Sequence, residues 1–440
     1  MIKKLLSLFL CIVTVLSISF PAFAAVPSGE IISETWCVMD AKTGQILIGG
    51  NENQKMEPAS ITKILTCALA LERLDPSAKY TFSKEAASYD KASTHLAFSE
   101  GETCTVEDLL YGAMVESAND CAMALADATC GSQLEFVRLM NEKLAELGCT
   151  GSHFSNSTGM PERNHYTTAR DMAIITKYAL SVPGFMTYFS AWEWSIPATN
   201  KNSQRNFGTH HSMIVGSQYN ATYGYDYATG GKLGWTEEAM HTAVTTADNG
   251  EMELICVVMK SRNKNAKYKD STLLLDYCFE NFKSVEIPVS IKKTELDVFD
   301  GEELYGKMTV YPMASINVLL TEDMSASDVS IAADFPKSCQ LSNVSEVAFN
   351  VSFSKSSENM STGTFYISPE YHIAKESVVV SGDAEMETEK STFRWWIFIL
   401  IPFGVIAFFA IVILIIRAYN IRKYEKLRRH RHYRRLSHDK

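Results

Sequence analysis

Pro58-Ala59-Ser60-Ile61-Thr62-Lys63-Ile64-Leu65-Thr66-Cys67-Ala68-Leu69 is the stretch on which the reading of this chain turns. From Ser60 onward, Ile61, Ile64, Leu65, Ala68 and Leu69 recur at helical spacing, which predicts an amphipathic helix. The start of that helix carries a hydroxyl, Ser60, and an amine, Lys63, one turn apart on the same face. A serine becomes a useful nucleophile only when a nearby base takes its proton. Lysine can be that base when burial or a second cation lowers its pKa, and the positive field of a helix N-terminus acts in the same direction. The pattern alone does not discriminate, because Ser-x-x-Lys also begins at Ser88, Ser261, Ser290, Ser352 and Ser437.

Working outward, Trp36–Met39 and Gln45–Ile48 flank Asp40-Ala41-Lys42-Thr43-Gly44, a hairpin signal. After the Ser60 helix, Thr105-Val106-Glu107-Asp108 resembles a capping box opening a helix through Val115. Further helices are predicted from Asn119-Asp120 through Ala128, over Gln133–Leu147 and over Thr168–Leu180. Beyond residue 228 the texture becomes β: Thr242–Thr246 and Leu254–Met259 are separated by the turn Asp248-Asn249-Gly250. Ser271–Phe282 then reads as a helix. Hairpin, helical middle, antiparallel strands and helix make an α/β sandwich whose first and last strands can share one sheet. From 285 to 380 only short alternating strands follow, such as Ile316–Leu320 and Val347–Phe353, which suggests a small all-β, sandwich-like domain.

The two ends point to export. Residues 1–24 run from Lys3 and Lys4 through an apolar stretch to Ala22-Phe23-Ala24, the pattern of a cleaved signal peptide. Residues 381–394 form an acidic linker, and Trp395–Ile416 is an uncharged run long enough to span a bilayer as one C-terminal helix. The tail 417–440 has ten Lys/Arg against two Asp/Glu, which by the positive-inside rule places it in the cytoplasm and the body outside. Residues 25–392 hold 28 Lys/Arg against 49 Asp/Glu, a balance that excludes nucleic acid as a partner. At 46% apolar and 21% charged, the chain is neither disordered nor a small disulfide scaffold. Its ten cysteines show no ligand spacing, so no metal is implied, and most read as small buried hydrophobes.

Two further short patterns follow Ser60 in order. Ser117-Ala118-Asn119 falls between two predicted helices, and Lys232-Leu233-Gly234 follows Gly230-Gly231 ahead of the strands. Each is weak alone: Ser-x-Asn recurs at Ser261, Ser315 and Ser357, and Ser or Asn before a helix is an ordinary cap. Together, on a helix start, an interhelical loop and a strand, they match the ordered signature of penicillin-binding proteins and serine β-lactamases. The flanks Glu116-Ser117-Ala118-Asn119-Asp120, Phe154-Ser155-Asn156-Ser157-Thr158-Gly159-Met160-Pro161 and Tyr166-Thr167-Thr168-Ala169-Arg170-Asp171-Met172-Ala173 resemble the serine-type D-alanyl-D-alanine carboxypeptidases, over roughly residues 30–285.

That resemblance implies a penicillin-binding, β-lactamase-like serine transpeptidase fold over 25–284: an antiparallel sheet with a helical subdomain. It implies Ser60 as the acylated nucleophile, Lys63 as general base and Ser117 as proton relay to the leaving D-alanine. Asn119 would hold the substrate amide and Lys63, and Lys232 would attract the substrate's terminal carboxylate. Gly234 completes the third motif, and the backbone N–H groups of Ser60 and Trp235 would form the oxyanion hole. Peptidoglycan stem peptides are the implied substrate and β-lactams the implied inhibitors, with no metal or organic cofactor. The chain departs from the family at Leu233, where Thr or Ser is usual, and at Met240, where Gly is usual. Leu233 keeps a second reading open, a weakly active or non-hydrolytic penicillin-binding sensor or scaffold at the cell wall; a β-lactamase is a third. An intact Lys42-Thr43-Gly44 precedes the nucleophile and reads as a turn.

Overall fold

The computed structural model describes residues 29–214, 222–288, 294–310, 315–321, 324–328, 330–334, 337–340, 347–355 and 358–367. The signal segment, acidic linker, 395–416 run and basic tail lie outside the described residues. Among the described residues, no helix is long and apolar enough to cross a membrane.

In chain order, the elements are β1 (Thr35–Asp40), β2 (Ile46–Gly50), a 3-10 turn at Ala59–Thr62, α1 (Lys63–Leu71), β3 (Lys79–Thr81), β4 (Thr103–Thr105) and α2 (Val106–Tyr111). After a π-helical turn at Gly112–Glu116 come α3 (Asn119–Cys130), α4 (Gln133–Glu146), α5 (Ala169–Ser181), α6 (Phe185–Phe189), β5 (Glu193–Ile196) and β6 (Arg205–Gly208). Then follow β7 (Ala228–Thr236), β8 (Met240–Asp248), β9 (Glu253–Ser261) and α7 (Ala266–Asn281). A five-stranded antiparallel sheet, ordered β2-β1-β9-β8-β7, joins the first hairpin to the last strands through the β1–β9 pair.

The layers follow from strand alternation. Cys37 and Met39 of β1 and Ile255, Val257 and Met259 of β9 enter the core shared with the helices. Trp36, Val38, Leu254, Cys256 and Val258 enter a second core against α7. Helix α1 is central: Lys63 through Ala70 are all buried. The periodicity predicts one apolar face, but the helix is enclosed on every side, so Lys63, Thr66 and Cys67 are buried as well.

The capping box forms as the spacing predicts, with Thr105 and Asp108 exchanging side-chain and backbone bonds. Helix α7 begins five residues earlier than its apolar pattern shows, because 266–270 is rich in polar residues. The Lys42-Thr43-Gly44 segment is the β1–β2 turn, with Thr43 bonded to Asp40 and Gly44 at φ +76°. All nine described cysteines are free, and seven are buried. From Phe282 to Ile367 the described elements are strands and one 3-10 turn. They pair as β10 (Phe282–Pro288) with β13 (Ser315–Thr321), as a three-stranded set of β11 (Thr294–Asp300), β12 (Glu303–Val310) and the strand Ser338–Gln340, and as another around Val347–Lys355.

Candidate active site

The site is built on the turn before α1. Ala59 has φ +52°, an uncommon left-handed conformation for a residue with a Cβ, and it turns Ser60 toward the edge of the sheet. Gly159, itself at φ +86°, packs so tightly here that a Cβ would lie 1.9 Å from the Ala59 carbonyl oxygen. The Asn156 side chain shapes the 156–159 loop by accepting from the backbone N–H groups of Thr158 and Gly159. Strand β7 approaches from the other side: a Cβ on Gly234 would sit 2.8 Å from Ser60 N and 2.4 Å from Thr242 Oγ1. Thr242 on β8 in turn donates to the Pro58 carbonyl at 2.9 Å. Both glycines are therefore required by close approach.

Lys63, the first residue of α1, has no exposed surface. Its Nζ lies 2.9 Å from Ser60 Oγ, 2.7 Å from Asn119 Oδ1 and 2.6 Å from the Thr158 carbonyl. Burial pushes the Lys63 amine well below the usual lysine range, and the charge of Lys232 adds to the effect. A neutral amine fits these neighbours: two N–H groups serve Asn119 and Thr158, leaving the lone pair for the Ser60 hydroxyl.

Ser117 is half-buried at φ +69°, where the π-helical turn ends and α3 begins. Among the described residues no hydrogen bond links its hydroxyl to Lys63, and it joins the cluster as the residue two before Asn119. The buried Asp120 carboxylate accepts from the backbone N–H groups of Leu96 and Phe98, and Asn119 N–H donates to Thr94 O at 2.8 Å. The Ser117–Asp120 turn is thereby tied to the 94–98 segment.

Lys232 is buried on β7, and burial lowers its pKa to about 8 against the pull of Glu116. Leu233 alternates to the other face and packs, with its cross-strand partner Ala243, in the core against α7. Trp235 is 59% exposed, with its ring 6.4 Å from that of His241. Met240 stands at φ +52° at the start of β8, a conformation that glycine adopts more readily. The structure thus brings Ser60, Lys63, Asn119 and Gly234 into direct contact, and couples Lys232 to Lys63 through its charge.

Comparison with known proteins places this geometry. Residues 22–263 match the peptidase S11 family, described as D-alanyl-D-alanine carboxypeptidase. The chain belongs to that family. It is 30% identical over 335 residues to the D-alanyl-D-alanine carboxypeptidase DacF of Bacillus subtilis, covering 73% of this chain and 83% of that protein. A D-alanyl-D-alanine carboxypeptidase structure from Mycobacterium tuberculosis aligns with TM-score 0.53 and 26% identity over 59% of this chain and 95% of that one. Penicillin-binding protein 5 of Haemophilus influenzae gives TM-score 0.58 at 23% identity over 77% and 97% of the two chains. The fold is that of the penicillin-binding proteins, α/β with an antiparallel sheet, as the ordered motifs lead one to expect.

Several residues of this peptidase S11 site carry no sequence signal of their own. The Thr158 carbonyl acts through its backbone, Asp120 reads as a helix-start acid, and Thr62 and His165 are joined across 103 positions of sequence. Gly159 belongs to the Phe154–Pro161 stretch, but the reason for it, the proximity of Ala59, is tertiary.

Proposed function

We propose that this chain is a serine-type D-alanyl-D-alanine carboxypeptidase that removes the terminal D-alanine from peptidoglycan stem peptides through a Ser60 acyl-enzyme. The observation that carries this is a serine oxygen 2.9 Å from the nitrogen of a lysine with no exposed surface. Burial lowers the proton affinity of Lys63 and so favours its neutral, basic form, and the contact places it to take the Ser60 proton.

Ser60 Oγ attacks the carbonyl carbon of the D-Ala-D-Ala bond as its proton passes to Lys63 Nζ. The oxyanion that forms is held by the N–H groups of Ser60 and Trp235; such donors are worth about 2.7–4 kcal/mol each. The C–N bond breaks with a proton delivered through Ser117 to the leaving amine, and water then hydrolyses the Ser60 ester. Lys232 attracts the terminal carboxylate and Asn119 holds the substrate amide. β-Lactams acylate the same oxygen. The catalytic body works outside the cytoplasm, attached through the single helix at 395–416, with the basic tail inside.

The sensor or scaffold reading is not favoured. It depends on Leu233 disabling the site, and Leu233 packs against α7 on the face opposite Lys232 and Gly234. A side chain at this position, Leu or Thr, points away from the site, so the departure from the family pattern removes no contact that this geometry provides. The test is D-alanine release from a peptide ending in Lys-D-Ala-D-Ala by the full chain in detergent. Release by wild type, abolished by Ser60→Ala and within about threefold of wild type in kcat/KM for Leu233→Thr, is expected. Silence from wild type with recovery in Leu233→Thr would instead support a sensor.

A further inference from the structure

His165 lies buried behind the nucleophile turn, with its ring stacked on Phe154 at 5.1 Å. Its Nδ1 accepts from the backbone N–H of Ser155 at 3.0 Å, so the ring proton must be on Nε2. Nε2 is 2.9 Å from Thr62 Oγ1, and the Thr62 hydroxyl donates at 2.9 Å to the Ala59 carbonyl. The chain of donors therefore has one direction, His165 to Thr62 to Ala59. Burial pushes the His165 imidazole down to about 3, which keeps that direction across the neutral range.

The Ala59 carbonyl and the Ser60 N–H belong to one peptide group. A trans peptide is planar, so the direction of its C=O fixes the opposite direction of its N–H. We infer that His165 is a positioning residue which, through the Thr62 hydroxyl, sets the plane of the Ala59–Ser60 peptide and so aims the Ser60 N–H at the developing oxyanion. The inference rests on the acyl-transfer reading above. It also accounts for the left-handed Ala59: the carbonyl is enclosed by Gly159 on one side and by a hydrogen-bonded hydroxyl on the other. A bond accepted at the carbonyl further polarises the N–H of the same peptide.

The test is a double-mutant cycle in the full chain. His165→Phe keeps the stacking ring without its nitrogens, Thr62→Val keeps the shape without the hydroxyl, and His165→Gln keeps a donor. His165→Phe and Thr62→Val should each lower kcat for D-alanine release about 10- to 100-fold, short of the 10²–10³ for deleting a donor outright, with KM within about threefold. The double variant should be no worse than the weaker single, and His165→Gln should recover most of the loss. Additive losses, or single variants that melt lower yet keep wild-type kcat, would overturn the relay. Thr62→Val carries the test alone if His165→Phe does not fold. Wild type no more active than Ser60→Ala would reject the acyl-transfer reading. The relay is then read separately from the imidazole ¹⁵N spectrum, where the Nε2–H tautomer should be protected from exchange in wild type and exposed in Thr62→Val.

Discussion

Lys63 is surrounded by a hydroxyl, an amide oxygen and a backbone carbonyl, and among the described residues no carboxylate is in hydrogen-bond reach. A permanent ammonium there would leave a buried charge without a counterion, which is costly. In the proposed reaction Lys232 has the contrary task, since it would have to be charged to attract a carboxylate. The signs follow from these roles. Activity should rise with pH as Lys63 loses its proton, at a pKa well below that of free lysine, and fall as Lys232 loses its own near 8. A bell-shaped kcat/KM profile is expected, because that parameter reports the free enzyme's acid and base. Lys232→Arg should carry the alkaline limb to higher pH, since a guanidinium stays charged. An alkaline limb that does not move in Lys232→Arg would remove Lys232 from the assignment. Ser60, Lys63 and Asn119 were legible in the sequence because side-chain chemistry at fixed spacing names them. Thr62 and His165 were not, because their target is the Ala59 carbonyl, a backbone group that no motif records.

At the scale of elements, the hairpins, α1, the capped α2 and helices α3 to α5 are legible because each carries its own periodicity or cap. The short pairs β3–β4 and β5–β6 are not: three or four residues are too few to show alternation, and partners from distant segments stabilise them. The π-helical turn at Gly112–Glu116 is hidden for a related reason, since its apolar pattern continues that of the helix before it. The 156–159 loop is the element on which the nucleophile leans, and Gly159 is its point of contact. Gly159→Ala would drive a Cβ into the backbone at Ala59, where no flexible side chain can give way, and would also strain a residue at φ +86°. Penicillin acylation of Ser60 should fall by at least about a hundredfold, or the protein should lose more than about 3 kcal/mol in a denaturant melt. Near-normal acylation and stability together would mean that the loop can retreat, and that Ala59 is held from elsewhere.

For the whole molecule, the described residues belong to one compact unit, and a single side chain spans its two kinds of structure. Gln45, buried in the β1–β2 hairpin, donates from Nε2 to the Leu319 carbonyl at 2.6 Å and accepts from the Leu319 N–H at 3.0 Å. The amide thus imitates a strand partner for β13 and joins the strands after Phe282 to the catalytic sheet. The alternation of the later strands suggests a β region, but nothing in the sequence could show where it docks, because the clamp is one glutamine 274 positions away. The hairpin lies at the β2 edge of the sheet, four strand spacings, about 19 Å, from β7 and the nucleophile. The clamp should therefore act on stability and leave catalysis alone. Gln45→Met preserves volume but strands a buried N–H and a buried C=O, so a loss of about 2–4 kcal/mol is expected in urea melts. D-Alanine release per folded molecule should stay at the wild-type value, since Ser60 and Lys63 keep every neighbour. An unchanged melt would show that the two parts stay docked by their apolar contacts alone. A folded variant with impaired release would show that the strands beyond Phe282 act on the site and are more than a support that carries it.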